Sequence, residues 1–283
     1  MKGAILGDIA GSAYEFHNTK DYNFPMFAAG SDITDDSLMT WAVARWLMEA
    51  PDHTGGRLAQ IMEEIGRRYP NPVGGYGAMF GIWLFSRDKK DYGSWGNGSA
   101  MRVSPVGWAF GTLEETERVA GISAAVSHSH PEGIKGAQAV ADAVWMARNG
   151  RTKEEIRSFI GERFGYDLHR SWEDIRRTYG WEASCQKTVP EALVAFLDST
   201  DFEDALRKAI SMGGDSDTVG AITGAVAEAF YGGVPDGMWK TAEARCPELA
   251  SDFVPAFGKW AAENSARTAG GGRKAPDAAS TGR

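Results

Sequence analysis

The chain has 283 residues, 43% of them hydrophobic, with a formal charge of −8 and a pI near 5.2. That length and apolar content suffice for one large core, and nothing in the middle has the composition of an interdomain linker, so a single domain over residues 1–263 is predicted. The acidic balance excludes a broad nucleic-acid face and an affinity for anionic membranes, while leaving room for a local basic pocket that holds one phosphorylated ligand.

The amino-terminal run Gly3-Ala4-Ile5-Leu6-Gly7 carries a single preceding charge at Lys2 and is interrupted at Asp8, too soon for a signal peptide or a membrane span. Cys185 and Cys246 stand far apart without metal-type spacing, so neither a disulfide framework nor a zinc site is expected. Both features predict a cytoplasmic protein. Gly3, Gly7 and Gly11 recur every four residues, which leaves a stripe of bare backbone along one helix face; with Asp8 and Glu15 beside it, close packing inside a soluble core is the better reading than a membrane dimer.

Helical periodicity then dominates. Leu38, Trp41, Ala42, Arg45 and Trp46 follow a 3.6-residue pattern, and similar patterns run through 112–126, 134–148, 188–199, 201–211 and 219–231. Turn residues at Gly55-Gly56, Pro70-Asn71-Pro72, Asn149-Gly150 and Gly232-Gly233 separate them, and strand-like alternation is scarce, so the fold class is all-α. From Asn264 to Arg283 no large apolar residue anchors the chain, and a disordered tail is predicted over 264–283.

Two acidic motifs sit at helix starts, Thr34-Asp35-Asp36 and Asp215-Ser216-Asp217-Thr218. Each alone is explained by N-capping, because Thr and Asp accept hydrogen bonds from free amides at the positive helix end. Together, if the helices converge, they form an oxygen-rich cluster of the kind that hard divalent cations prefer. Gly96-Asn97-Gly98-Ser99-Ala100-Met101-Arg102 is a glycine-rich turn suited to presenting amides to a phosphate or ribose, and equally suited to being an ordinary tight turn. It lacks the Gly-Lys-Thr/Ser ending of a phosphate-binding loop. In Ser127-His128-Ser129-His130-Pro131 the two imidazoles could cap a helix, contact a ligand or bind metal, although no third N or S ligand nearby suggests zinc. Trp95 beside the turn could stack on a base or join the core with most of the ten tryptophans.

The segments Gly3 to Glu15, Thr34 to Ser37, Gly96 to Arg102 and Gly213 to Thr218, in this order and spacing, resemble the ADP-ribosylglycohydrolase family, whose members include the dinitrogenase-reductase-activating glycohydrolase. The resemblance spans roughly residues 3–260. It implies an orthogonal helical bundle with two magnesium ions (manganese as a substitute) in a cleft, hydrolysing the bond between ADP-ribose and an acceptor. It further implies Thr34, Asp35, Asp36, Asp215, Asp217 and Thr218 as metal ligands. Glu15 falls on a catalytic acidic position, with Asp35 as the other candidate base. Gly96, Asn97, Gly98, Ser99 and His128 are implied as substrate contacts, and Trp95 beside them is the candidate for stacking on the base.

The acceptor and the oligomeric state stay open; Asp91 is the nearest acid before Asn97, which weakly disfavours arginine. The rival readings are a non-catalytic binding or structural protein on the same scaffold and a two-metal phosphoesterase.

Overall fold

The computed structural model of the chain describes residues 1–270. Among them no strand forms; Thr34–Val73 and Gly96–Ser184 are isolated bridges. The helices are α1 Lys2–Ser12, α2 Asp35–Glu49, α3 Gly55–Arg68, α4 Ala78–Phe85, α5 Gly98–Met101, α6 Ser104–Ala109, α7 Leu113–Ala125, α8 Pro131–Arg148, α9 Lys153–Phe164, α10 Trp172–Thr178, α11 Cys185–Asp198, α12 Phe202–Ser211, α13 Ser216–Tyr231, α14 Asp236–Arg245 and α15 Val254–Gly270, the last entered through a π-helical turn at Glu248–Phe253. None of these is long and apolar enough to cross a membrane. The predicted helices fall in α2, α7, α8, α11, α12 and α13. Helix α8 begins earlier than its apolar pattern because His130 caps it, its Nδ1 accepting from Glu132 N at 3.1 Å, and Pro131 supplies a pre-set first residue.

Two helices form the centre. α13 is buried from Ser216 through Ala229 and α1 from Gly3 through Ser12, the all-round burial of core helices rather than the one-sided burial of surface ones. They run antiparallel in backbone contact, with Gly3 against Gly224, Gly7 against Gly220 and Gly11 against Ser216. A Cβ on Gly3 or Gly7 would stand 2.0 Å from the facing carbonyl oxygen, so the glycine stripe is a packing requirement. Its consequence is positional: the C-terminal end of α1, with Glu15 just beyond, lands at the N-terminal end of α13.

Helix α2 is pinned to the same place by Asp8, a fully buried carboxylate on α1. Asp8 accepts from Thr34 N (3.0 Å), Thr34 Oγ1 (2.7 Å), Ser37 N (3.0 Å) and the Ser37 hydroxyl. It thereby satisfies amides that a helix start otherwise leaves open.

The expectation of a tail from Asn264 is corrected in its first residues, where α15 continues to Gly270. Asn264 is buried and donates from Nδ2 to Ala109 O at 2.9 Å, and Thr268 Oγ1 accepts from Gly111 N at 2.7 Å. The anchor is polar, and small residues let backbones approach: a Cβ on Gly111 would stand 2.3 Å from Ala269 N. A search for large apolar residues cannot see such docking. The remainder of the expected tail, 271–283, lies outside the described residues.

Candidate active site

A cleft of about 460 Å³ opens where the starts of α2, α5 and α13 meet the end of α1. Glu15, Asp35, Asp36, Asp215, Asp217 and Thr218 line its acidic end, and Gly96, Asn97, Gly98, Arg102 and His128 line it further along. The two acidic motifs therefore converge. Carboxylate oxygens of Glu15, Asp215 and Asp217 lie within 4.8 Å of one another. Thr218 Oγ1 stands 3.4 Å from Asp36 Oδ2, which joins the second motif to the first.

The capping explanation holds for one motif and not for the other. Thr34 is the N-cap of α2, accepting from Asp36 N at 3.1 Å while donating to Asp8, and it lies behind the cleft rather than in its lining. Asp215 occupies the N-cap position of α13 yet makes no side-chain cap; its carboxylate accepts instead from Asn97 Nδ2 at 2.8 Å. Gly213 and Gly214, both left-handed at φ +74° and +79°, turn the chain so that Asp215 faces the cleft.

Asn18, which the sequence reading passed over, clamps this geometry. Its side-chain amide donates to the carbonyls of Tyr14, Glu15 and Gly214, and its Oδ1 accepts from Gly214 N at 2.8 Å. The loop bearing Glu15 and the turn bearing Asp215 are thus held to each other by one amide. Gly74, at φ +76°, closes over Glu15: a Cβ there would stand 2.6 Å from Glu15 Oε2.

Electrostatically the acids are unsettled. Burial pushes Glu15 up to about 8, with Asp217 and Asp8 adding repulsion, and pushes Asp215 and Asp8 up to about 6. Asp35, Asp36 and Asp217 lie well above the usual carboxylate range, first through burial and then through their acidic neighbours. Glu15 Oε2, Asp36 Oδ1 and Asp217 Oδ1 are buried without a partner among the described residues. Buried oxygens that converge, repel and lack donors fit a divalent cation bound by oxygen ligands.

At the other end of the cleft the implied contacts divide. The Gly96 and Gly98 backbones face the His128 ring, whose Nε2 would stand 3.5 and 3.1 Å from a Cβ on each. Asn97 is held by its N–H on Ala183 O at 2.8 Å and by Asp215. Ser99, fully buried and outside the lining, turns its hydroxyl to Gly133 O at 2.7 Å. Trp95 lies beside the cleft, exposed and edge-on to His130. Asp91 is occupied by Gly93 N and by Ser129. At the mouth Phe16 and Trp181, both exposed, stack with ring centroids 5.7 Å apart.

Residues 1–263 match the sequence profile of the ADP-ribosylglycohydrolase family. The chain is 26% identical to the mouse ADP-ribosylhydrolase ARH3, over 82% of each chain. It is also 26% identical to the Pseudomonas putida ADP-ribosylarginine hydrolase Tri1, over 82% of this chain and 69% of that protein. A solved structure titled ADP-ribosylglycohydrolase-related protein complex shares the fold with a TM-score of 0.68 at 23% identity, covering 92% of this chain and 97% of its own. With an all-helical bundle, converged acidic helix starts and a profile match over nearly its whole length, the chain belongs to the ADP-ribosylglycohydrolase family.

Proposed function

We propose that this chain hydrolyses the glycosidic bond between ADP-ribose and an acceptor, using two divalent ions, magnesium with manganese able to substitute, at the acidic end of the cleft. The observation that carries the reading is the convergence of Glu15, Asp35, Asp36, Asp215 and Asp217 with buried oxygens that no protein donor satisfies. Asp35, Asp36, Asp215, Asp217 and Thr218 would hold the ions, with Thr34 behind them retaining one lone pair on Oγ1 beyond its cap and its bond to Asp8. When bound, the metal supplies Lewis-acid grip on the hydroxyls of the distal ribose.

The protein's own groups do the rest. Glu15, held by the Asn18 clamp and unpartnered at Oε2, orients the attacking water and takes its proton. Burial, with Asp217 and Asp8 adding repulsion, raises Glu15 to about 8 without metal, and a cation bound among these acids would lower it, keeping Glu15 ionised and able to accept a proton. Asp35 is the second candidate for that role. The Gly96–Gly98 backbone can approach the pyrophosphate closely because no Cβ intervenes, and the His128 ring, packed beside the same glycines, contacts it from the same side. Fixing the ribose at one end and the pyrophosphate at the other holds the anomeric carbon in place, which removes much of the entropic part of the barrier.

The test is product analysis with arginine-, serine-, acetyl- and nucleobase-linked ADP-ribose, with and without magnesium. Free ADP-ribose formed only with divalent metal is the expected result. AMP plus ribose phosphate would establish the phosphoesterase reading instead, and binding without turnover of any substrate would establish the non-catalytic one.

A further inference from the structure

Beneath the glycine turn lies a relay that neither the motifs nor the mechanism above employs. Arg102 is fully buried, with its Nη2 donating to Ser123 O at 3.1 Å and to Ser127 Oγ at 3.0 Å. Its Nε and Nη1 have no protein acceptor, and its Cζ stands 5.8 Å from the Phe80 ring. Ser127, also fully buried, lies 2.8 Å from His128 Nδ1. The opposite ring nitrogen, Nε2, faces Gly96 and Gly98 in the cleft.

The direction of the second hydrogen bond follows from counting donors. Ser127 Oγ accepts from the guanidinium, which has only protons to give. The serine hydroxyl carries one proton of its own, and among the described residues Arg102 and His128 are the only partners its Oγ has. If His128 Nδ1 carried a proton, both neighbours would donate to Ser127 and the serine proton would be left buried without an acceptor, a cost that native interiors avoid. Full satisfaction requires the hydroxyl to donate to an unprotonated Nδ1. The imidazole is then neutral with its proton on Nε2, as the hydrogen-bond network assigns it. The buried Arg102 charge reinforces this, since together with burial it holds His128 well below the usual imidazole range. Tyr92, its ring 6.1 Å from the imidazole, is the aromatic neighbour on the cleft side.

We propose that Arg102 and Ser127 are positioning residues that lock His128 as the neutral Nε2–H tautomer, so that the cleft presents a fixed hydrogen-bond donor to the substrate's pyrophosphate beside the glycine backbone. The pyrophosphate part of this statement rests on the function proposed above; the tautomer does not. A donor fixed by a buried arginine through a hydroxyl cannot become an acceptor facing the phosphate oxygens, which is the error a free histidine makes in its other tautomer.

The test combines a spectrum with a binding cycle on the full chain. Long-range ¹H–¹⁵N correlation of the imidazoles at pH 7 should show His128 with Nε2 in the protonated and Nδ1 in the unprotonated range, and Ser127→Ala should convert this to a mixture of tautomers. In magnesium, Ser127→Ala should weaken ADP-ribose measurably by calorimetry, in proportion to the Nε2–H fraction lost from the tautomer mixture. The same substitution in a His128→Ala background should then cost nothing further. A wild-type His128 carrying its proton on Nδ1, or on both nitrogens, overturns the relay. So does an additive loss in the double variant, which would mark Ser127 as merely structural. If wild-type protein shows the Nε2–H pattern but binds no ADP-ribose, the pyrophosphate role falls with the functional reading and the relay stands.

Discussion

Gly7 of α1 and Gly220 of α13 meet backbone to backbone: a Cβ on Gly7 would lie 2.0 Å from the Gly220 carbonyl oxygen, and one on Gly220 would lie 2.5 Å from that of Gly7. Neither obstacle is a flexible side chain, so the helices themselves must part. Gly7→Ala is therefore expected to cost roughly 2–3 kcal/mol and to lower Tm by several degrees, despite the better helix propensity of alanine. Because parting α1 from α13 also parts Glu15 from Asp215 and Asp217, magnesium-dependent turnover should fall with it. Gly56→Ala, also helical and with nothing within 4 Å, is the control and should leave turnover unchanged and Tm unchanged or slightly raised. Equal behaviour of the two variants in thermal melting would show that the glycine contact does not hold the site together.

The crowded acids predict a trade between stability and binding. In the metal-free protein Asp217 is buried beside Asp215 and Asp8, and its raised pKa means that its contribution to stability is lost as pH rises above the ordinary carboxylate range. Removing that charge relieves the native state. Asp217→Asn should thus melt higher than wild type in chelator at pH 8, and should lose most of the stabilisation that magnesium confers on wild type. Melting curves with and without magnesium check both parts; a variant that melts lower in chelator and keeps its full magnesium response would remove Asp217 from the proposed ligand set.

A second buried acid sits away from the cleft. Asp142 on α8 is fully buried with both carboxylate oxygens unpartnered, and burial pushes it to about 8, with Glu117 adding repulsion and Arg163 opposing. A raised folded-state pKa contributes stability that is complete below the unfolded value and is lost as pH climbs from about 4 through about 8. Asp142→Asn cannot ionise, so the difference in stability between variant and wild type should be small near pH 4 and grow to a few kcal/mol in favour of the variant near pH 9. Urea unfolding across that range measures it. A difference that stays constant with pH would mean that Asp142 is ionised and paired throughout.

How much of this was legible in the sequence depends on whether a residue's partner is close along the chain. The glycine stripe of α1 announced a close approach, and Thr34-Asp35-Asp36 and Asp215-Ser216-Asp217-Thr218 announced helix starts, because spacing and capping are local chemistry. What the stripe packs against, and hence that the acidic starts converge, is a long-range fact, and it entered through the family resemblance rather than through periodicity. Asp8 was readable only as a polar residue on an apolar helix; its bonds to Thr34 and Ser37 lie across a loop. Asn18 looked like any turn residue, since its function is to face Gly214. The turn of the Ser99 hydroxyl toward Gly133 O was not legible, because a motif gives the order of residues and not the direction in which a side chain points. The docking of Asn264 and Thr268 was missed because polar anchoring leaves no apolar signal.

Glu15 is where the proposed chemistry is most exposed to test. The residue is half-buried, its Oε2 is unpartnered, and Asn18 and Gly74 fix its position from two sides. If it orients or deprotonates the attacking water, its charge matters to the transition state far more than to the bound substrate, so Glu15→Gln should lower kcat roughly 10²–10⁴-fold. ADP-ribose affinity in magnesium should change by less than about tenfold, because the ribose and pyrophosphate are held by other residues. Gly74→Ala offers a check that leaves the carboxylate in place: a Cβ there would stand 2.6 Å from Glu15 Oε2, so displacement of the side chain should lower kcat with little change in affinity. The backbone strain at φ +76° adds a cost to stability, which the melting temperature reports separately. An unaffected kcat in Glu15→Gln would transfer the proton-accepting role to Asp35, the other acid that lines this end of the cleft. Joint collapse of affinity and turnover would instead make Glu15 a binding carboxylate, in keeping with the short separation of its oxygens from those of Asp215 and Asp217.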